Sequence, residues 1–302
     1  MRASEFATSA GRAVRASDGA ALSELLSLRG SAVQRTVAGA GISRSWHEAH
    51  EAQNAATSAF LRIFATMAPG RWALSVLYTL LRDLRWVSIM ADRTSVTQSR
   101  AASSQKHLEE CARQLNKAFG VCAADRHPDM DQSRKWGTYA VANMLFSTYF
   151  ALKSLALCRN ILRALSAGDI PPLEAFGRGD VVTYRYYLGR LRFLDEDYDA
   201  AESELARALA ESPASAPRNQ ERILIYLVPM RLLRGIRPSA ELLRRFPQTH
   251  ALYGDIVEAY SRGDARAYDA ALRASDRTFV RLGLYLALER ARAVCISRLF
   301  RR

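Results

Sequence analysis

Residues 186–213 read YYLGRLRFLDEDYDAAESELARALAESP. Two helical segments flank the acidic run Asp195, Glu196, Asp197 and Asp199, and small residues recur where those segments would meet. Gly189 lies in the first segment and Ala201 and Ala208 in the second, with Tyr198 opening the second and Pro213 closing it. Residues without a large side chain at such points let two antiparallel helices pack closely, and these offsets belong to a helix-pair repeat of ~34 residues.

The repeat is of tetratricopeptide type, with two departures: Arg185 stands where a large aromatic is usual and Arg192 where a tyrosine is usual. A weaker echo, ALYGDIVEAYSRGDARAYDAALRASDRTF, runs over residues 251–279 with Gly263, Tyr268 and Ala271. Upstream, Leu108, Cys111, Ala112, Leu115 and Phe119 follow the i, i+3, i+4, i+7 spacing of one helix face. No sustained apolar–polar alternation ends in an Asn-Gly or Asp-Gly turn, so hairpins are not signalled. Pro69-Gly70, Pro128, Pro171-Pro172, Pro213, Pro217, Pro238 and Pro247 cut the chain into helix-pair lengths. Pro229, inside an apolar stretch, predicts a kink or the start of a new helix. The expected fold is all-α, a tetratricopeptide-like helical-repeat right-handed solenoid. Residues 31–45, rich in Gly, Ala and Ser, and 91–104, rich in Ser and Thr, read as mobile stretches of an N-terminal helical region over 1–104. A repeat array follows over 105–215, and a final helical part over 216–302.

The 302 residues carry 43 Lys+Arg against 30 Asp+Glu, a net charge of +13. Only Lys106, Lys117, Lys135 and Lys153 are lysines, so nearly all cations are arginine forks suited to phosphate and carboxylate. Residues 181–215 hold 4 basic and 7 acidic side chains, whereas 216–302 hold 17 basic and 8 acidic ones. That imbalance is expected of a surface facing phosphate or an acidic protein. The four cysteines, Cys111, Cys122, Cys158 and Cys295, are scattered without a C-x-x-C pair, which predicts reduced, buried thiols. The N-terminus lacks the apolar core of a signal peptide. The uncharged run over 136–152 is too short and too polar for a membrane span, so a buried core helix and a soluble intracellular protein are expected.

Catalytic signatures are missing: there is no P-loop, dinucleotide fingerprint, nucleophile elbow or H-E-x-x-H helix. His47 and His50 sit i, i+3 beside Glu48 and Glu51. The spacing is common by chance, and a solvated polar helix face is the better reading than a metal site. Asp195 to Asp199 lacks the ligand alternation and central glycine of a calcium loop and reads as a solvated turn. Tyr184, Tyr186, Tyr187 and Phe193 read as helix-packing aromatics rather than base-stacking platforms. The chain is expected to need no cofactor and to be no enzyme.

Four strings then carry a resemblance: SRKWGTYAVANMLFSTYFALKSLALCRNILRAL at 133–165, VTYRYYLGRLRFLDEDYDAAESEL at 182–205, NQERILIYLVPMRLLRG at 219–235 and FVRLGLYLALERARAVCISRLFRR at 279–302. Together they resemble the PCI-domain family, and within it the mRNA-export branch that partners a GANP-type scaffold. The resemblance covers 105–302; its most specific parts are Val182, Thr183, Tyr184, Tyr186, Tyr187, Gly189 and Arg190, and the block 222–233. It implies a non-enzymatic scaffold subunit of a transcription-coupled export complex, in the nucleus and at its pores with some cytoplasmic presence. The implied partners are a GANP-type subunit, a small acidic disordered protein that braces the helices, and mRNP, RNA or DNA; membrane insertion is not implied.

Family members continue past the position matching Leu299 and Phe300 into a winged helix, so this sequence is expected to lack that module. Its last helix is then expected to expose Leu284, Leu286, Val294 and Ile296. The candidate phosphate contacts are Arg298, Arg301 and Arg302, with Arg231, Arg234 and Arg237 as a second patch; such binding is non-specific and weakens steeply with salt. The rival readings are a PCI scaffold of another assembly (proteasome lid, signalosome or translation-initiation complex), an enzyme of unrecognised type, and a truncated product.

Overall fold

The apolar periods of the sequence are helices in the computed structural model, which describes residues 3–26, 42–98 and 105–299. Among those residues there are fifteen α-helices, short 3-10 turns and no β-strand, the expected all-α helical-repeat class. The chain divides into two compact units, Met1–Phe176 and Gly177–Arg302. Both expected boundaries, at 104/105 and 215/216, therefore fall inside a unit.

The first unit contains α1 (Ala3–Arg15), α2 (Gly19–Leu26), α3 (Ile42–Thr66), α4 (Leu74–Gln98), α5 (Lys106–Ala123), α6 (Thr138–Ala151) and α7 (Leu155–Ala167). From α3 onward each helix packs on the next. Its core gathers Phe64, Leu77, Leu81, Leu84, Leu115, Leu145, Phe146 and Tyr149, all fully buried. The predicted α5 stripe, Leu108 to Phe119, is buried residue for residue. The uncharged run is α6 with its preceding turn, and no described helix is long and apolar enough to cross a membrane.

The two stretches expected to be mobile fall partly within helices. Residues 42–45 open α3 and residues 91–98 extend α4, while 31–41 and 99–104 lie outside the described residues. Polar residues sustain the α4 helix because they find partners: the Thr94 hydroxyl donates back to the Met90 and Ala91 carbonyls. Asp92 supplies the N-cap that α5 lacks locally, since Gln105 makes no side-chain cap. Its carboxylate accepts from the His107 and Leu108 backbone N–H groups at 3.1 and 3.0 Å.

The second unit contains α8 (Arg178–Leu194), α9 (Tyr198–Glu211), α10 (Pro217–Leu233), α11 (Ala240–Arg245), α12 (Pro247–Arg262), α13 (Ala265–Ala274), α14 (Asp276–Leu282) and α15 (Tyr285–Leu299). The α8–α9 pair is the repeat that opened the sequence reading. Ala201 and Ala208 are fully buried, and a Cβ on Gly189 would stand 2.7 Å from Leu205 Cγ, so only glycine permits this approach. Arg185, at the aromatic position, is 3% exposed and is neutralised by α9: Nη1 donates to Glu204 and Nε to Glu211, each at 3.1 Å.

Pro229 does not restart the helix: α10 runs through it. A helical proline leaves the carbonyl four residues earlier without its N–H donor. That carbonyl, Ile225 O, instead accepts from the Tyr253 hydroxyl of α12 at 2.5 Å. One heptad on, Tyr260 donates to Leu232 O at 2.7 Å, and Tyr268 of α13 donates to Leu288 O of α15 at 2.6 Å.

The expected exposure of the last helix is corrected. Helix α15 packs on α10, α12 and α13, burying Leu284, Leu288, Ala291 and Cys295 along one stripe. Val294 is partly buried against the same core, and Ile296 is half-buried. Leu286 alone of the four faces solvent, 61% exposed.

Candidate functional site

Within the basic stretch 216–302, some arginines are paired inside the fold and others are not. Arg231 and Arg234 end α10 against α9, where both meet Glu202: Arg231 Nε donates at 3.1 Å and Arg234 Nη1 at 3.0 Å. Arg234 also lies 3.9 Å from Asp199. These two members of the expected phosphate patch are thus charge-compensated within the unit. Further along, Arg292 donates to both carboxylate oxygens of Asp269 through Nε and Nη2, and Arg290 donates to Glu196 and Tyr198. Those contacts hold α15 to α13 and to the α8–α9 turn, so they are spent on the fold.

Arg237, the third member of the patch, has the other fate. It has no carboxylate partner among the described residues and lines an open groove of about 690 Å³ beside α11 and α12. Arg244 and His250 converge on the same groove, whose floor is Leu243 and Val257. Gly254 matters here: the His250 ring lies along α12 with its atoms 3.4–3.6 Å from where a Cβ would stand. Pro238 and the Ser239 N-cap, which accepts from Leu242 N–H at 3.1 Å, fix the turn that carries Arg237. Glu258 lines the groove but is engaged by Arg262 one turn on. The groove therefore presents two guanidinium forks, an imidazole and an apolar floor, an arrangement that can hold a phosphate or carboxylate.

His250 was not legible as part of this group, because nothing in its spacing links it to Arg237 and Arg244. Of the terminal arginines, Arg301 and Arg302 lie outside the described residues, as does the side chain of Arg298.

The aromatic motif residues are packing residues. Tyr186 meets Tyr187 and Tyr226 edge-on at 5.1 and 6.1 Å, with the Arg190 guanidinium 4.5 Å from the Tyr226 ring centre. Burial pushes the Tyr186 hydroxyl up to about 12. Tyr198 packs on Phe193, and Tyr184 is half-buried. All four cysteines are buried and free, and burial pushes the Cys111 and Cys122 thiols up to about 12, which leaves them unreactive. The acidic turn is solvated as expected, with Asp197 capping α9 through Ala200 N–H. The histidine reading is corrected for one residue: His50 is 1% exposed rather than solvated, while His47 is exposed as expected and bonds His107 of α5. No group of three or more His, Cys, Asp or Glu among the described residues is arranged to hold a metal ion.

No family model matches the sequence. Over 269 residues, 84% of its length, the chain is 46% identical to "Protein CSN12 homolog" of Mycosarcoma maydis, covering 59% of that protein. It is 31% identical over 255 residues to "PCI domain-containing protein 2" of Danio rerio, covering 84% of this chain and 63% of the relative. The Dictyostelium discoideum "PCI domain-containing protein 2 homolog" is 30% identical over 252 residues, covering 82% and 57% respectively. These homologues support a PCI-domain family. The chain spans less than two thirds of the length of each of these PCI-type relatives. None of the three names is that of an enzyme.

Proposed function

We propose that this PCI-type chain is a non-enzymatic scaffold subunit of a nuclear, transcription-coupled mRNA-export complex. It holds a GANP-type subunit and a small acidic protein and adds positive charge toward RNA or DNA. The observation that supports this reading best is the Arg237–Arg244–His250 groove. It keeps Arg237 and Arg244 without carboxylate partners among the described residues, whereas Arg231, Arg234 and Arg292 of the same unit are paired internally. The likeness to PCI domain-containing protein 2 supports the same direction.

The test is affinity capture from source cells together with binding of single-stranded RNA and DNA at several salt concentrations. A GANP-type subunit and an acidic protein should co-purify, and nucleic-acid affinity should fall steeply with salt. Arg237→Ala with Arg244→Ala should weaken that binding several-fold and reduce the salt slope by about two. The expected contribution of Arg298, Arg301 and Arg302 is tested by the same slope in a triple charge reversal. The CSN12 name carried by the Mycosarcoma maydis relative favours a second reading, a PCI scaffold of the signalosome. Capture of signalosome subunits without mRNP factors would replace the first reading with that one.

A further inference from the structure

Three helices of the first unit meet at a file of hydrogen-bonding side chains, buried at Asp92 and His107 and exposed at His47 and Glu51, that the proposed function does not use. Asp92 of α4 accepts from His107 Nδ1 of α5 at 2.7 Å. His107 Nε2 lies 2.9 Å from His47 Nδ1 of α3, and His47 Nε2 lies 3.3 Å from Glu51 of the same helix. Carboxylates can only accept, so both ends of the file need an N–H. Between the two rings there is room for one proton. All three contacts therefore require three protons on four ring nitrogens, one more than two neutral imidazoles carry.

The proton count defines three states. With one shared extra proton the whole file is satisfied. With none, only the exposed His47–Glu51 contact is lost. With two, N–H groups confront each other across 2.9 Å, and the only side-chain bond between His47 and His107 must break. We propose that the His47–His107 pair is an acid-released latch between α3 and α5. It stays closed while the pair carries at most one extra proton and opens when a second binds.

The surroundings strengthen this linkage. The other titratable groups facing the pair are His50 and Glu51 from α3, Asp92 from α4 and Glu110 from α5. His50 stacks edge-on against His107 at 4.7 Å, is 1% exposed, and its Nε2 has no hydrogen-bond partner. Burial, then the charge of His107, lowers its pKa, so charging it also favours opening. Asn54 donates to Glu110 at 2.7 Å and holds the helices together one turn further on, which confines the opening to the start of α3. Trp46 lies there, 8% exposed, edge-on to Trp86 at 5.3 Å and packed on Val87 and Ala91. Opening uncovers that apolar contact.

The experiment is hydrogen exchange on the full chain between pH 7.5 and 5, with tryptophan emission recorded in parallel. Protection factors at residues 46–50 should fall about tenfold per pH unit once one further proton is bound per opening. Emission should shift to the red, and Trp46→Phe should abolish the shift. The His47→Gln and His107→Gln variants should lose the acid dependence while α6 and α7 stay protected. Unchanged protection down to pH 5, or equal acid opening in both variants, would overturn the proposal. Should the variants fail to fold, ring resonances of the wild-type chain decide. Coupled two-step titration of His47 and His107 supports the latch, and independent single steps overturn it.

Discussion

Both units fasten helix to helix with charged side chains, and they differ in how far neutral phenols share that task. In the first, charged side chains tie helix ends. Asp125 accepts from Ser133 Oγ and from Arg134 through its backbone N–H and guanidinium, while Arg134 Nη1 donates to the Phe64 and Ala65 carbonyls near the end of α3. Asp92 does the same for the start of α5. In the second unit Glu221 likewise accepts from the Gln248 and Thr249 backbone N–H groups at the start of α12 and Arg–carboxylate pairs join helices. Neutral phenols are added there, with Tyr253, Tyr260 and Tyr268 each donating to a backbone carbonyl of another helix. A carboxylate collects several N–H groups at an exposed helix start but brings a charge that titrates in acid. A phenol makes one bond without a charge, and burial raises the pKa values of Tyr253 and Tyr268 above their ordinary value. The phenol ties should therefore be indifferent to acid, whereas the Asp125 tie of the first unit should not.

All four tryptophans, Trp46, Trp72, Trp86 and Trp136, belong to the first unit, so tryptophan emission follows it alone while circular dichroism follows both. The largest effect should come from Arg134→Ala, which strands the buried Asp125 carboxylate. A cost of about 3–5 kcal/mol is expected, visible as early loss of tryptophan signal in urea. Equal weakening of the second unit would break the comparison.

Next is the acid profile. Burial pushes the Asp125 carboxyl up, but hydrogen bonds from Arg134 and Ser133 outweigh it and hold it at about 2, against an ordinary 3.8. A depressed folded-state value stabilises above the unfolded value and is lost as pH falls. About 2 kcal/mol should therefore disappear from the tryptophan-monitored transition between roughly pH 5 and pH 2. His50 adds in the same sense at milder acidity, because its lowered value makes the unfolded chain bind the proton first.

In the second unit, Tyr253→Phe removes the donor that satisfies the carbonyl freed by Pro229, at about 1–2 kcal/mol. Hydrogen exchange of α10 should rise with no change in tryptophan emission. A Tyr253→Phe, Pro229→Ala pair should recover part of that loss, since alanine restores the helical N–H. The smallest effect belongs to Arg234→Ala. Its exposed pairs with Glu202 and Asp199 should contribute under about 1 kcal/mol. Thermal unfolding followed by circular dichroism should barely move.

The sequence by itself determined the helical class, the α8–α9 repeat and the absence of catalytic signatures. Apolar period, small residues at fixed offsets and helix caps are local signals, and Gly189, Ala201 and Ala208 declare a close helix approach within twenty residues. It also showed that residues 216–302 are basic. Tertiary structure alone decided which arginines stay uncompensated, because Glu202 reaches Arg231 and Arg234 from another helix while Arg237 turns into a groove with Arg244 and His250. It decided that Pro229 remains helical, since the donor that replaces the lost N–H comes from Tyr253, 28 residues from the carbonyl it satisfies. And it decided that His50 is buried and that His47, itself exposed, bonds a third histidine, with that histidine and the capping aspartate entering from α5 and α4. Each of these outcomes depends on a partner distant in the chain, and periodicity along one helix contains no information about what packs across from it.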